Sequence, residues 1–202
     1  MIYRELSAGE FADLSSRILY EDNHLLIVNK KVGEIVQGDK TGDEPLSDTY
    51  KAFIAMRDSK PGQVFLGLPH RLDRPVSGIT VLAKTSKALE RLNAMFRDSQ
   101  VHKFYWAMVC AEPDSSEGLL EDMLWRDERQ NKSFVCRPGA ARRDAKMARL
   151  RYMRLGRTDR YVVLEVELMT GRHHQIRCQL SHMGCPIKGD LKYGAPRSNP
   201  DG

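Results

Sequence analysis

The sequence predicts an α+β fold, a mixed and mainly antiparallel sheet with helices packed on it. Strand-like runs outnumber helical ones along the chain. Consecutive strand runs are often joined by short loops, which favours antiparallel pairing. The chain has 202 residues, 41% of them hydrophobic and 29% charged, with 15 Gly and 9 Pro. That is enough to bury one sizeable core without a disulfide or metal staple, and the composition is that of a globular domain.

The elements follow in order. Residues 18–30, ILYEDNHLLIVNK, read as two short strands around an Asp-Asn turn. Residues 46–58, LSDTYKAFIAMRD, place Leu46, Tyr50, Ile54 and Met56 near helical spacing, with Pro45 at the start. QVFLGLP (63–69) reads as a short strand, and SGITVLAK (77–84) as a strand with small residues at its mouth. TSKALERLNAMFRD (85–98) is a helix with Thr85 as N-cap and a stripe of Leu89, Leu92, Met95 and Phe96. VHKFYWAMVCA (101–111), LLEDML (119–124), SFVC (133–136), AKMARLRYMRL (145–155) and RYVVLEVEL (160–168) read as strands, several of them alternating. GRHHQIRCQLSHMG (171–184) reads as a last helix, closed by Gly184 at C′. The turn-rich stretches 34–45 and 112–118 are the expected soft spots. No internal repeat or low-complexity segment interrupts the chain.

Several classes are excluded. No run of 18 apolar residues could span a membrane, and the N-terminus lacks a basic leader followed by an apolar stretch. Cys110, Cys136, Cys178 and Cys185 form no CxxC pair and read as reduced thiols, so a cytoplasmic location is expected. His174, Cys178 and His182 share a helical face, but three such ligands span about 12 Å along the axis, too far to converge on one ion. No metal is expected.

The formal net charge of +5 hides an asymmetry. Residues 1–69 hold 8 basic and 11 acidic side chains, whereas 70–110 hold 7 and 3. From Arg137 to Arg160 there are 9 basic residues against Asp144 and Asp159. That stretch fits either a phosphate-tracking surface or a solvated strand face.

Three segments can carry chemistry. In His70-Arg71-Leu72-Asp73-Arg74-Pro75-Val76-Ser77-Gly78 a lone carboxylate lies among cations, which favour its ionised form. An ionised aspartate suits a nucleophile or an electrostatic stabiliser, and the alternative is a salt-bridged turn without chemistry. Thr170 to Arg177 gathers Arg172, His173, His174, Gln175 and Arg177 at a helix start, where anions are favoured. Ordinary surface charge is the alternative. Lys103-Phe104-Tyr105-Trp106 sets aromatic rings beside a cation, suited to stacking on bases or to simple strand burial.

Taken together, HRLDRPVSGITVLAK, KFYWAMV and TGRHHQIRCQLSHMGCPIKGDLKYGA, with the early VNKKVGEIV, resemble the RluA-type pseudouridine synthases. The resemblance runs from about residue 17 to about residue 197. It implies a long mixed, largely antiparallel sheet with flanking helices and a central catalytic cleft. It implies conversion of selected uridines in ribosomal or transfer RNA to pseudouridine, with no metal or organic cofactor. The family's catalytic aspartate falls on Asp73, its base-packing tyrosine on Tyr105, and the arginine that pairs with the carboxylate on Arg177. Arg71, Arg74, Arg172, His174 and Gln175 are then expected to contact RNA around the aspartate. Arg142, Arg143 and Arg149 are the expected backbone-tracking set.

On this reading residues 1–16 are an N-terminal extension and 17–202 a catalytic domain acting as a monomer. Many relatives carry an S4-type RNA-binding domain. It is not expected in this chain, so RNA selection would rest on the catalytic domain. The chain ends at NPDG, where relatives commonly continue into a further strand, which leaves a short chain and a truncated one as alternatives. A non-catalytic RNA-binding protein is a second reading. An aspartate-dependent glycosidase is a third, disfavoured because that chemistry needs two facing carboxylates.

Overall fold

A capping box builds the first helix. In the computed structural model, which describes residues 3–137, 139 and 142–199, α1 spans Ala8–Ser16. Ser7 Oγ accepts from the Glu10 N–H (3.2 Å), and the Glu10 carboxylate accepts from the Ser7 N–H (2.9 Å). Two donors that a helix start leaves orphaned are thus met reciprocally. The expected N-terminal extension is therefore structured, and its Leu6 and Leu14 are buried. The terminal NPDG beyond Asn199, and positions 138, 140 and 141 of the basic stretch, lie outside the described residues.

Contacts divide the chain into two units, Met1–Gln100 and Val101–Gly202. In the first, β1 (Ile18–Glu21), β2 (Leu25–Lys30) and β3 (Gly78–Ala83) form an antiparallel sheet in that order. The expected Asp-Asn turn is closed by Asp22, whose Oδ1 accepts from the N–H groups of His24 and Leu25 at 2.6 Å each. Helix α2 (Leu46–Arg57) buries Tyr50, Phe53 and Ile54 with Leu26, Val28 and Leu82. Helix α3 (Ser86–Arg97) starts as its sequence predicts, Thr85 Oγ1 accepting from the Ala88 N–H at 3.1 Å.

The strand expected over 63–69 reduces to one bridge, Gly67 to Ala83. Val64 and Leu66 are apolar because they enter the core, not because they extend a ladder. Leu89 of α3 presses on Gly67, where an added Cβ would stand 2.6 Å from a Leu89 methyl. A larger residue there would have to push the Leu89 side chain aside.

The second unit is a five-stranded sheet ordered β4-β8-β7-β5-β6, every pairing antiparallel. Its strands are β4 (Phe104–Val109), β5 (Glu117–Asp127), β6 (Lys132–Val135), β7 (Lys146–Arg157) and β8 (Val162–Leu168). The α+β class thus stands, with the strands hydrogen-bonded as one set of three and one of five. β5 begins at Glu117, inside one expected soft spot. Alternation turns Ala107, Val109, Leu150, Tyr152, Leu164 and Val166 to one face, where Leu180 of α4 (Gln175–His182) packs among them. The last helix begins at Gln175, not at Gly171, because His174 adopts a left-handed conformation (φ 51°, ψ 30°). Gly184 (φ +88°) ends it, its N–H bonded to Ser181 O and that of Cys185 to Leu180 O.

Candidate active site

In the first unit, the loop bearing Asp73 is held by a buried lysine. β2 reads Leu25-Leu26-Ile27-Val28-Asn29-Lys30, and its pleat turns Leu26, Val28 and Lys30 inward. Lys30 is wholly buried. Its Nζ donates to the backbone carbonyls of Lys31 (3.0 Å), Asp73 (3.3 Å), Arg74 (3.2 Å) and Val76 (2.5 Å). The Asp73 carbonyl also accepts from the Val76 N–H (3.0 Å), and the Arg74 carbonyl from the Gly33 N–H (2.9 Å). Burial pushes the Lys30 ammonium below its ordinary range, and the Glu34 and Asp73 carboxylates oppose that. A cation at the centre of a carbonyl cluster fixes the backbone of residues 73–76, and with it the root of the partly buried Asp73 side chain.

The neighbours of Asp73 divide their tasks. His70 Nε2 accepts from the Val81 N–H at 2.9 Å, and its ring stacks on Phe96 at 5.0 Å, so it ties the loop to β3 and α3. The Arg74 guanidinium is bound by the 39–43 loop, to Asp43 (2.7 Å), Asp39 (3.7 Å) and Thr41 Oγ1 (2.9 Å). Its sequence position beside Asp73 thus does not describe its side chain. Arg71 is exposed.

In the second unit, Tyr105 lies on the inward face of β4 with Ala107 and Val109, packed against the cluster that holds Ile176 and Leu180 of α4. Tyr105 and the helix of Arg177 therefore share one face of the sheet. Arg177 donates from Nε to Asp190 Oδ2 (2.6 Å) and from Nη2 to Asp190 Oδ1 (2.8 Å). Its Nη1 meets His174 Nε2 at 3.0 Å. Arginine only donates, so His174 accepts at Nε2 and carries its proton on Nδ1. That nitrogen lies 3.0 Å from the Tyr193 hydroxyl oxygen, which also accepts from the Ser133 N–H at 2.7 Å. Burial, and then the Arg177 cation, push His174 down to about 3. Burial pushes the Tyr193 phenol up to about 12. His174 and Tyr193 are thus both uncharged near neutral pH.

Other expected RNA contacts find varied places. Gln175 is 3% exposed. Its Oε1 accepts from Thr170 Oγ1 (2.8 Å) and the Arg172 N–H (3.0 Å), and its Nε2 donates to Arg149 O (3.0 Å). It frames the turn before α4 and does not face solvent. Arg172 is exposed, with Nε on Met147 O (2.8 Å). Arg149 pairs with Glu121 (2.6 Å), Arg142 with Asp144 (3.0 Å), and Arg143 is exposed. Cys178 is buried and donates to Ser133 O (3.3 Å). Among the described residues no group of three or more His, Cys, Asp or Glu is placed to hold a metal ion. Nor is any helix there long and apolar enough to cross a membrane.

Residues 24–182 match the family described as RNA pseudouridylate synthase. The chain belongs to that family. It is 35% identical over 189 residues to a ribosomal large subunit pseudouridine synthase C of Vibrio parahaemolyticus, covering 94% of this chain and 56% of that one. It is 31% identical to a mitochondrial pseudouridylate synthase of Xenopus tropicalis, covering 94% and 65%. The solved human RNA pseudouridylate synthase domain containing 4 superposes with a TM-score of 0.78 at 29% identity, covering 94% of this chain and 75% of that one. The chain thus spans a little over half to two thirds of the length of the curated relatives it matches.

Two residues of this family member escaped the sequence reading. Lys30 was legible in principle, since period-two parity puts it on the buried face with Leu26 and Val28. Asp190 had a fainter signal, being the only acidic residue between 170 and 199.

Proposed function

We propose that the chain isomerises uridine to pseudouridine in ribosomal or transfer RNA. Asp73 is the nucleophile, Tyr105 packs against the extruded base, and Arg177 orients the Asp73 carboxylate. The observation that carries the reading is the Asp73 loop gathered on buried Lys30, inside the span that matches the family. The reaction breaks the bond from ribose C1′ to uracil N1, turns the base, and joins C1′ to C5. N1 gains a proton and C5 loses one. A carboxylate held at fixed position can open such a bond, and the base must leave its stack to reach it. The likeness to the Vibrio relative, named for the large ribosomal subunit, makes ribosomal RNA the first substrate to try. A protein acting as a monomer in the cytoplasm is the accompanying proposal, and the four free cysteines support a reducing compartment.

The test is release of tritium from uridine labelled at C5, in ribosomal and transfer RNA. The purified protein should release it without added cofactor. Asp73→Asn should release none while still binding RNA. Full turnover by that variant would remove Asp73 from the role, and no release from any RNA would remove the activity.

A further inference from the structure

One edge of the five-stranded sheet carries a continuous ladder of cations and aromatic rings. β6 is the last strand on that edge, and its Phe134 stands opposite Trp125 of β5. The two rings stack at 5.1 Å, with 24° between their planes. The Arg142 guanidinium lies 3.7 Å from the Trp125 ring centre. Lys132 Nζ lies 5.3 Å from the Phe134 ring and 5.0 Å from that of Tyr193, and Arg177 is 5.0 Å from the Tyr193 ring. Arg142, Trp125, Phe134, Lys132, Tyr193 and Arg177 thus touch in succession, from an exposed arginine to the one assigned to the reaction.

Trp125 is half-buried, and a planar cation lies against its face. A guanidinium and a nucleobase use the same aromatic face for stacking, so Arg142 occupies the position a base would take. Residues 125–146 hold 7 basic and 3 acidic side chains, which draws a phosphate chain to this edge. A stacking ring flanked by cations is the arrangement that single strands require. A duplex keeps its base faces covered and cannot use it.

We propose that Trp125 and Phe134 form a stacking site for an unpaired nucleobase of the RNA, the base displacing Arg142 from the Trp125 face and Arg142 and Lys132 then meeting the phosphates beside it. This rests on the reading of the chain as an RNA-modifying enzyme. The site is indifferent to base identity, because every base offers a π face.

The chain has two tryptophans, so Trp106→Phe leaves Trp125 as the sole indole reporter. That variant is titrated with an end-labelled single-stranded RNA of about ten nucleotides, binding being followed by anisotropy of the label. Trp125 emission should be quenched in step with binding, and the duplex form of the same RNA should bind without quenching. Trp125→Ala should raise the Kd for the single strand roughly five- to hundredfold, and Trp125→Phe should recover most of it. Should Trp125→Ala fail to fold, quenching in the intact site still decides. RNA that binds with Trp125 emission unchanged, or a Trp125→Ala protein with the wild-type Kd, overturns the stacking site and leaves the isomerase activity standing. A protein that binds neither form of this RNA overturns the stacking site, and the isomerase activity is then decided by the C5 tritium release.

Discussion

Arg177 and Asp190 meet through two parallel hydrogen bonds, 2.6 Å and 2.8 Å long, with the Asp190 side chain 9% exposed. The fork of the guanidinium matches the carboxylate, which fixes the plane of the cation as well as its place. Asp190 precedes the short 3-10 turn Leu191–Tyr193, whose tyrosine returns to His174. The arginine singled out by resemblance is thus held on two sides, by a carboxylate and by a neutral histidine.

Asp190→Asn keeps the shape and replaces one acceptor oxygen with a donor. One Arg177 N–H then faces an amide N–H in a nearly closed site, at a stability loss of about 1–3 kcal/mol. The guanidinium plane loosens, and turnover at saturating RNA should fall at least tenfold. Asp190→Glu, which restores both oxygens, should recover part of it. Thermal melts and C5 tritium release measure the two effects. Wild-type turnover by Asp190→Asn would show that the plane of Arg177 does not matter.

Lys30→Met should slow the reaction without weakening RNA binding in proportion. The methionine fills the space and removes a buried charge, which by itself is favourable. It also leaves the Val76 carbonyl without its Lys30 donor, at about 1–3 kcal/mol, whereas those of Asp73 and Arg74 keep the N–H groups of Val76 and Gly33. The expected balance is a lower Tm and a kcat reduced at least tenfold, with Kd for RNA within about threefold. A parallel loss in Kd and kcat would mean that the loop also holds RNA.

Local rules account for much of the fold. α3 was legible because its cap and stripe lie within fourteen consecutive residues, 85–98, and Thr85 does accept from the Ala88 N–H. β7 was legible from its alternation, which does bury Ala148, Leu150 and Tyr152. α1 was missed although Ser7 and Glu10 carry a capping-box spacing, because the helix is short and only Leu14 of it is buried. The site was legible as motifs but not as contacts. Lys30 acts on carbonyls more than 40 residues away, and carbonyls leave no mark in a sequence. The left-handed backbone at His174, which sets where α4 begins, is equally silent in a Gly-Arg-His-His run.

His174→Asn should flatten the acid limb of the stability curve. The folded pKa is about 3 against an ordinary 6.5. Between those values the unfolded chain binds the extra proton, so stability falls as pH falls through that window. Above about 6.5 both states are neutral and the residue adds no slope. Asparagine tolerates the left-handed backbone and its amide reaches the place of Nδ1 facing the Tyr193 hydroxyl, so the fold should survive although Arg177 loses its acceptor at Nε2. Urea midpoints from pH 7 to pH 4 should drop less steeply in the variant than in the wild type. Identical slopes would mean that His174 takes up its proton in the folded state as readily as in the unfolded.

The exposed arginines should differ in their salt signature. Arg143 is exposed, whereas Arg149 is engaged by Glu121 at 2.6 Å and Arg142 by Asp144 at 3.0 Å. A cation that already neutralises a carboxylate must trade that partner for a phosphate, so its net counterion release is smaller. Arg143→Ala should therefore lower the slope of log K against log salt by about 0.7 for a single-stranded contact. Arg149→Ala should lower it by less, and Glu121→Gln should raise the affinity by releasing Arg149. Affinities measured between 50 and 200 mM salt separate these outcomes. Slopes unchanged in Arg143→Ala and Arg149→Ala alike would return this stretch to a solvated strand face.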